Sequence, residues 1–166
     1  IYNNPARSAV NIEIETLKRI VPLPHICGIK ECASILQFAE AFACIKQIYP
    51  HFSLFGGDDL LALPVMALGA DGIISGGATL LPVEMQTLIS TCLKGDFLSA
   101  RTLYFNLHPL LQALCVESNP IPLKKALELF GLPAGEPRLP LTPLNPKHLP
   151  ILKKALEPWL NATLTS

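Results

Sequence analysis

The 166 residues carry 13 Lys+Arg against 13 Asp+Glu; half are hydrophobic and only 16% are charged. That balance excludes a basic nucleic-acid binder or a polybasic membrane-surface protein, and the aliphatic content excludes a disordered chain. The length suffices for one domain with a real core but not for a complete (β/α)8 barrel, which takes roughly 250 residues.

The chain opens on IYNNPARSAV, without an initiator Met, in the manner of a sequence entered partway through a strand. It has no basic region followed by an apolar run, so it does not read as a signal peptide. Asn11 is placed to cap a helix whose apolar residues Ile14, Leu17 and Val21 recur at helical spacing, with Glu13 and Glu15 near its positive end. A strand is expected at Ile26-Cys27-Gly28-Ile29-Lys30, then a helix on Ile35, Phe38, Ala39, Phe42 and Ile45. A second strand, Phe52-Ser53-Leu54-Phe55, ends in Gly56-Gly57-Asp58-Asp59. The latter reads as a tight strand-to-helix turn whose acids face a helix N-terminus. A short helix over Pro64 to Leu68 stops at Gly69, and Gly72-Ile73-Ile74-Ser75 is a third strand. Strands separated by helices predict βαβ units and a parallel sheet.

A helix from about Pro82 to Leu93 follows, and beyond Gly95 only helices are expected. One runs from about Asp96 to Cys115 with a kink at Pro109, one from Pro122 to just before Gly131, and one from about Pro146 to Leu160. No run approaches the about 18 apolar residues of a membrane span. The five cysteines (Cys27, Cys32, Cys44, Cys92, Cys115) lack metal-ligand spacing and read as buried free thiols in a reducing compartment. The four histidines are dispersed and read as structural.

In parallel α/β folds the chemistry collects where the strands end. Lys30 closes ICGIK, and Ile26, Gly28 and Lys30 share one strand face. Burial among apolar groups lowers a lysine pKa and frees its amine to attack a carbonyl; a salt bridge to Glu31 is the alternative reading. Tyr2 could shuttle protons beside an imine or be an ordinary strand-end aromatic. Arg7 could clamp a substrate carboxylate or be a solvated loop charge.

Six segments, YNNPAR, GIKE, GGDD, LGADGIIS, ESNPIPLK and RLPL, stand in the order and approximate spacing of the dihydrodipicolinate synthase family. The chain resembles the C-terminal part of that family, within the pyruvate-dependent class I aldolase superfamily that includes N-acetylneuraminate lyase. The resemblance implies an α/β fold comprising the C-terminal part of a (β/α)8 TIM barrel, from the end of strand 5 to strand 8, followed by a C-terminal helical domain. The expected division is 1-94 for the partial barrel and 95-166 for the helical domain.

It implies Lys30 as the Schiff-base lysine and Tyr2 as the proton relay. Arg7 would hold the carboxylate of L-aspartate 4-semialdehyde, and the backbone at Gly57 and Ile74 would line the pyruvate pocket. The implied reaction condenses pyruvate with the semialdehyde on the route to diaminopimelate and lysine. It needs no cofactor or metal beyond the covalent imine and is set in the cytoplasm, in a homotetramer. The missing N-terminal barrel half would be the partner that carries the family's paired threonines and second tyrosine. The alternatives are a sister aldolase or lyase acting on another 2-oxo acid, or a catalytically incomplete fragment. Arginine at position 7 favours the synthase, since the neuraminate type usually has an apolar residue there. Ser8-Ala9 and Gly76-Gly77-Ala78-Thr79 depart from the family pattern, and two extra residues lie between Lys30 and Gly57.

Overall fold

A computed structural model describes residues 1–163. Four short strands, β1 (Tyr2–Asn3), β2 (Gly28–Glu31), β3 (Ser53–Gly56) and β4 (Gly72–Ile73), form one parallel sheet in the order β1-β2-β3-β4. The α/β class with a parallel sheet is therefore as the alternation of apolar runs and amphipathic stretches predicts.

β2 starts two residues later than expected. The amide of Ile26 closes a turn onto Leu23 O (3.2 Å), and His25 takes a left-handed backbone (φ 72). Ladder pairing begins only beyond this turn, at Cys27, whose carbonyl accepts from Ser53 N (2.8 Å). Along β2 the burial alternates, with Ile29 and Glu31 buried and Gly28 and Lys30 half-buried, so one face is packed and the other carries the lysine.

Between β1 and β2 lie α1 (Pro5–Ser8) and α2 (Ile14–Ile20). The predicted stripe holds: Ile14, Leu17 and Val21 are buried. The cap does not. Glu13 occupies the N-cap position of α2, because the Asn11 side chain is engaged elsewhere, with Asn3, Glu13 and Gln37. After β2, Ser34 caps α3 (Ile35–Ala41) by accepting from Gln37 N (3.1 Å).

The helix then widens into a π turn over Phe42–Lys46. Lys46 leaves this turn to donate to Phe52 O (3.0 Å) and to both oxygens of Asp71 (2.8 and 2.7 Å), while Asp71 accepts from Leu54 N (2.7 Å). One ion pair thus fastens the start of β3 to the approach of β4. Gly69, at φ +96, needs to be glycine twice over. Its backbone is left-handed, and an added Cβ would lie 2.3 Å from the Phe42 ring.

Asp58 accepts from Leu60 N (2.9 Å) and so caps a 3-10 turn (Asp59–Leu61) that leads into α4 (Ala62–Ala67). This is the expected use of the GGDD turn. α4 begins two residues before the predicted Pro64, which a helix accepts within its first turn.

α5 (Pro82–Leu93) has the predicted ends. α6 (Phe97–Ala113) runs on through Pro109, and α7 (Ile121–Leu129) and α8 (Leu149–Thr163) complete the helical run, α8 preceded by a 3-10 turn at Pro146–His148. The chain divides into two compact units, 1–75 with 87–101, and 76–86 with 102 onward. In the first, Leu17, Ile29, Phe38, Ala41, Ile45, Leu54 and Leu88 are among the innermost side chains. In the second, α7 packs on α8 and Leu152 and Leu156 are wholly buried. There Glu117 accepts from Asn145 N (2.8 Å), which ties the ESNPIPLK segment to the turn before α8.

Among the described residues no helix is long and apolar enough to cross a membrane. Of the five thiols only Cys92 is buried. Cys27 and Cys115 are exposed and Cys32 and Cys44 intermediate, so the expectation of uniformly buried thiols is corrected. Apolar neighbours in sequence did not mean burial: Cys27 precedes β2 and Cys115 follows α6, both outside their elements.

Candidate active site

The register of a parallel sheet brings the ends of its strands together, and here it aligns the residues singled out from the sequence. Tyr2 pairs with Lys30, Lys30 with Phe55, and Phe55 with Gly72. One step further, the ladder continues beyond the strands: Cys32 N donates to Asn3 O (2.9 Å), Gly57 N to Glu31 O (3.0 Å) and Ile74 N to Gly56 O (2.9 Å). Side chains two apart share a face. Tyr2, Lys30 and Phe55 therefore form one row, and Asn4, Cys32, Gly57 and Ile74 the row above it.

Lys30 projects across this face with Nζ 4.5 Å from the centroid of the Tyr2 ring. Two residues below it, Gly28 has no room for a side chain, because a Cβ there would lie 2.7 Å from Ser53 O. Glu31 is not the lysine's partner. It lies on the opposite face at 3% exposure, where its carboxylate accepts from Asn3 Nδ2 (3.0 Å to each oxygen), Ala33 N (2.6 Å) and Gln37 Nε2 (3.1 Å).

Gly57 is required by a close approach. A Cβ built on it would lie 2.1 Å from Cys32 Sγ and 2.5 Å from Lys30 Cε. The thiol, the lysine stem and the glycine backbone therefore bound the same small volume. Burial pushes the Cys32 thiol above its ordinary value, against the Lys30 charge and a hydrogen bond with Tyr2, which both pull it down. The tyrosine hydroxyl also accepts from Asn4 Nδ2 (2.7 Å).

Arg7 is on α1, the four-residue turn that springs from this same segment. Its amide donates to Asn4 O (3.0 Å), and its side chain is exposed. Ile74 is exposed at the end of β4. Four of the five predicted residues, Tyr2, Lys30, Gly57 and Ile74, thus lie along one strand-end face, and Arg7 lies five residues beyond Tyr2 on the loop that follows. Cys32 and Asn4 escaped the sequence reading. The signal for Cys32 was its parity with Lys30, two residues on, and Asn4 stands in the same relation to Tyr2. Among the described residues no group of three His, Cys, Asp or Glu is arranged to hold a metal ion.

A parallel α/β chain with a lysine at the end of an inner strand and an aromatic hydroxyl in register beside it belongs with proteins that work at strand ends. The comparisons with known proteins make this specific. The model of the dihydrodipicolinate synthetase family matches residues 1–158, and the chain belongs to that family. The 4-hydroxy-tetrahydrodipicolinate synthase of Protochlamydia amoebophila is 40% identical over 97% of this chain and 55% of its own length. The solved 4-hydroxy-tetrahydrodipicolinate synthase of Methylacidiphilum fumariolicum superposes with a TM-score of 0.90 at 37% identity, over 99% of this chain and 55% of that one. The dihydrodipicolinate synthase of Acinetobacter baumannii, solved in complex with pyruvate, does so with a TM-score of 0.86 at 35% identity, over 94% and 53%. The chain spans about half the length of the curated relatives it matches.

Proposed function

We propose that this chain supplies the Schiff-base half of a 4-hydroxy-tetrahydrodipicolinate synthase, condensing pyruvate with L-aspartate 4-semialdehyde. The observation that carries the reading is the register pairing of Tyr2 with Lys30 at the strand ends of a member of this family. The pyruvate complex of a similar solved enzyme supports the choice of first substrate.

In this reading the Lys30 amine attacks the ketone carbon of pyruvate. The carbinolamine loses water to give an imine, with Tyr2 moving the proton to the departing oxygen. The imine nitrogen accepts the electron pair left when the methyl group gives up a proton, so the enamine forms without a cofactor. The enamine carbon attacks the aldehyde of the second substrate, whose carboxylate is held by Arg7, and the substrate amine then displaces Lys30 by cyclising. The backbone at Gly57 and Ile74 lines the pyruvate. The sheet is the C-terminal part of a (β/α)8 barrel followed by helices, and a partner segment carrying the remaining strands completes the pocket. A homotetramer in the cytoplasm is the setting the family resemblance implies.

The test is incubation with pyruvate and borohydride, which freezes an imine as a secondary amine, followed by peptide mapping. An adduct is expected on the peptide that contains Lys30 and is expected to vanish in Lys30→Arg. A modified lysine elsewhere, or no adduct in the intact protein, overturns the reading. Arg7→Leu is expected to raise the KM for the semialdehyde by about a hundredfold, the worth of a charge-assisted pair, while pyruvate trapping stays near the parent level. Equal loss with both substrates would remove Arg7 from this role.

A further inference from the structure

Beneath the lysine face lies a polar network that the reaction as proposed does not use. Asn3 is 1% exposed and Glu31 3%, the two buried polar side chains among the described residues. Asn3 Nδ2 donates to both oxygens of Glu31 and to Asn11 Oδ1 (2.9 Å), and Asn3 Oδ1 accepts from Ile12 N (3.0 Å). Gln37, on the first turn of α3, donates to Glu31 Oε2 and to Ile12 O (2.9 Å) and accepts from Asn11 Nδ2 (2.8 Å). Both backbone groups of Ile12 are therefore held by side chains anchored on Glu31.

The consequence is topological. The chain leaves β1 at Asn3, makes the turn that carries Arg7 and returns to Asn3 at Ile12, so a side chain closes the loop at its base. Inside the loop, Ser8 Oγ donates to Val10 O (2.9 Å) and Ala9 takes a left-handed backbone (φ 56), ending α1. Among the described residues no ladder bond reaches residues 5–11, and the network ties the end of this segment to the sheet.

We propose that Glu31, Asn3 and Gln37 are positioning residues that fix the Arg7 loop against the strand bearing Lys30, and so set the affinity for the anionic second substrate without touching it. The proposal rests on the reading of Arg7 given above. Glu31 serves because a buried carboxylate can take several donors at once, from β1, from α3 and from its own loop.

The test uses the intact protein and two variants. Glu31→Gln strikes the centre, where loss of one acceptor strands a donor and puts the fold at risk. Gln37→Leu trims the rim and leaves the Asn3–Glu31 contact in place. For Gln37→Leu, amide hydrogen exchange is expected to speed up at residues 8–12 while residues 28–31 keep their protection. The KM for the semialdehyde is expected to rise about tenfold, the worth of one or two hydrogen bonds, with pyruvate trapping within about twofold. Added to Arg7→Leu, Gln37→Leu is expected to cost no more than about twofold further, because a residue that acts through Arg7 has nothing left to position. Unchanged exchange at Ile12, equal loss with both substrates, or full additivity with Arg7→Leu each overturns the proposal. Failure of the parent protein to trap pyruvate counts against the Schiff-base reading, and the exchange experiment still judges the tether.

Discussion

Cys32 is the residue at which several constraints meet. Its sulfur shares space with the Lys30 stem and with Gly57, and its thiol is held above the ordinary range by burial. At neutral pH it should therefore react with iodoacetamide more slowly than the exposed Cys27 and Cys115, which peptide mapping of timed alkylation will show. The sign of the effect on stability follows. The unfolded thiol loses its proton first, so the site costs nothing below the usual thiol range, and folding weakens as pH rises through it. Gly57→Ala places a methyl group where the sulfur and the lysine stem already are. Pyruvate trapping should fall about tenfold or more from this overpacking, with the melting curve shifted only modestly, and adding Cys32→Ala should restore part of it. Lys30 was legible from the rule that parallel sheets work at strand ends and Tyr2 from its place at the end of the preceding strand, whereas Gly57 and Ile74 came only from the family resemblance. Cys32 and Asn4 share the parity of Lys30 and Tyr2 but were passed over, because that they come together with Gly57 shows only once the register of the strands is fixed.

At the scale of elements, the legible features were those with a strong period. α5 begins and ends as read, and the Ile14, Leu17, Val21 stripe is buried. Leu17→Ala, at a position with no exposure, should cost about 2–5 kcal/mol in a denaturant titration, and Leu36→Ala, which is 79% exposed, within about 0.5 kcal/mol. The features that escaped depend on partners distant in the chain. Asn11 has the chemistry of a helix cap, yet its amide is taken by Gln37, 26 residues on. The π turn was hidden inside an apolar pattern that fits an α-helix equally well, and its purpose appears only in the reach of Lys46 to Asp71, 25 residues away. That pair is only partly exposed, and Asp71 also holds the Leu54 amide. Asp71→Ala should therefore destabilise the chain by about 1–3 kcal/mol, more than a surface ion pair would suggest, with Lys46→Met less damaging because it leaves the carboxylate bonded to the backbone.

For the whole molecule, the sheet sets the terms. Its order leaves β1 and β4 at the two edges, each only two residues long, and the inner strands β2 and β3 carry the packing. Short edges resist uncontrolled pairing better than long ones do, yet they still present unpaired backbone groups. Supplying in trans a segment that bears the remaining strands should raise both the melting temperature and the yield of trapped imine, and lower the light scattering of concentrated solutions. The absence of any such change would argue that the chain's strand ends work alone. The composition had already excluded the classes that depend on net charge. Length set against a barrel excluded a complete one, the resemblance placed the chain in the C-terminal part of the family, and the comparisons cover about half of each relative.

The volume shared by Cys32, Lys30 and Gly57 also makes the protein its own instrument. The sulfur stands close enough to feel the lysine's charge and shares space with the Lys30 stem and Gly57. Cyanylated, Cys32 would carry a nitrile whose stretching frequency reports the electric field along its bond. In the proposed reaction, imine formation followed by loss of the methyl proton leaves a conjugated enamine on Lys30 and brings the pyruvate carboxylate beside the sulfur. The vibrational band should then move in two stages as pyruvate is added, in whatever fraction of the labelled protein still traps pyruvate.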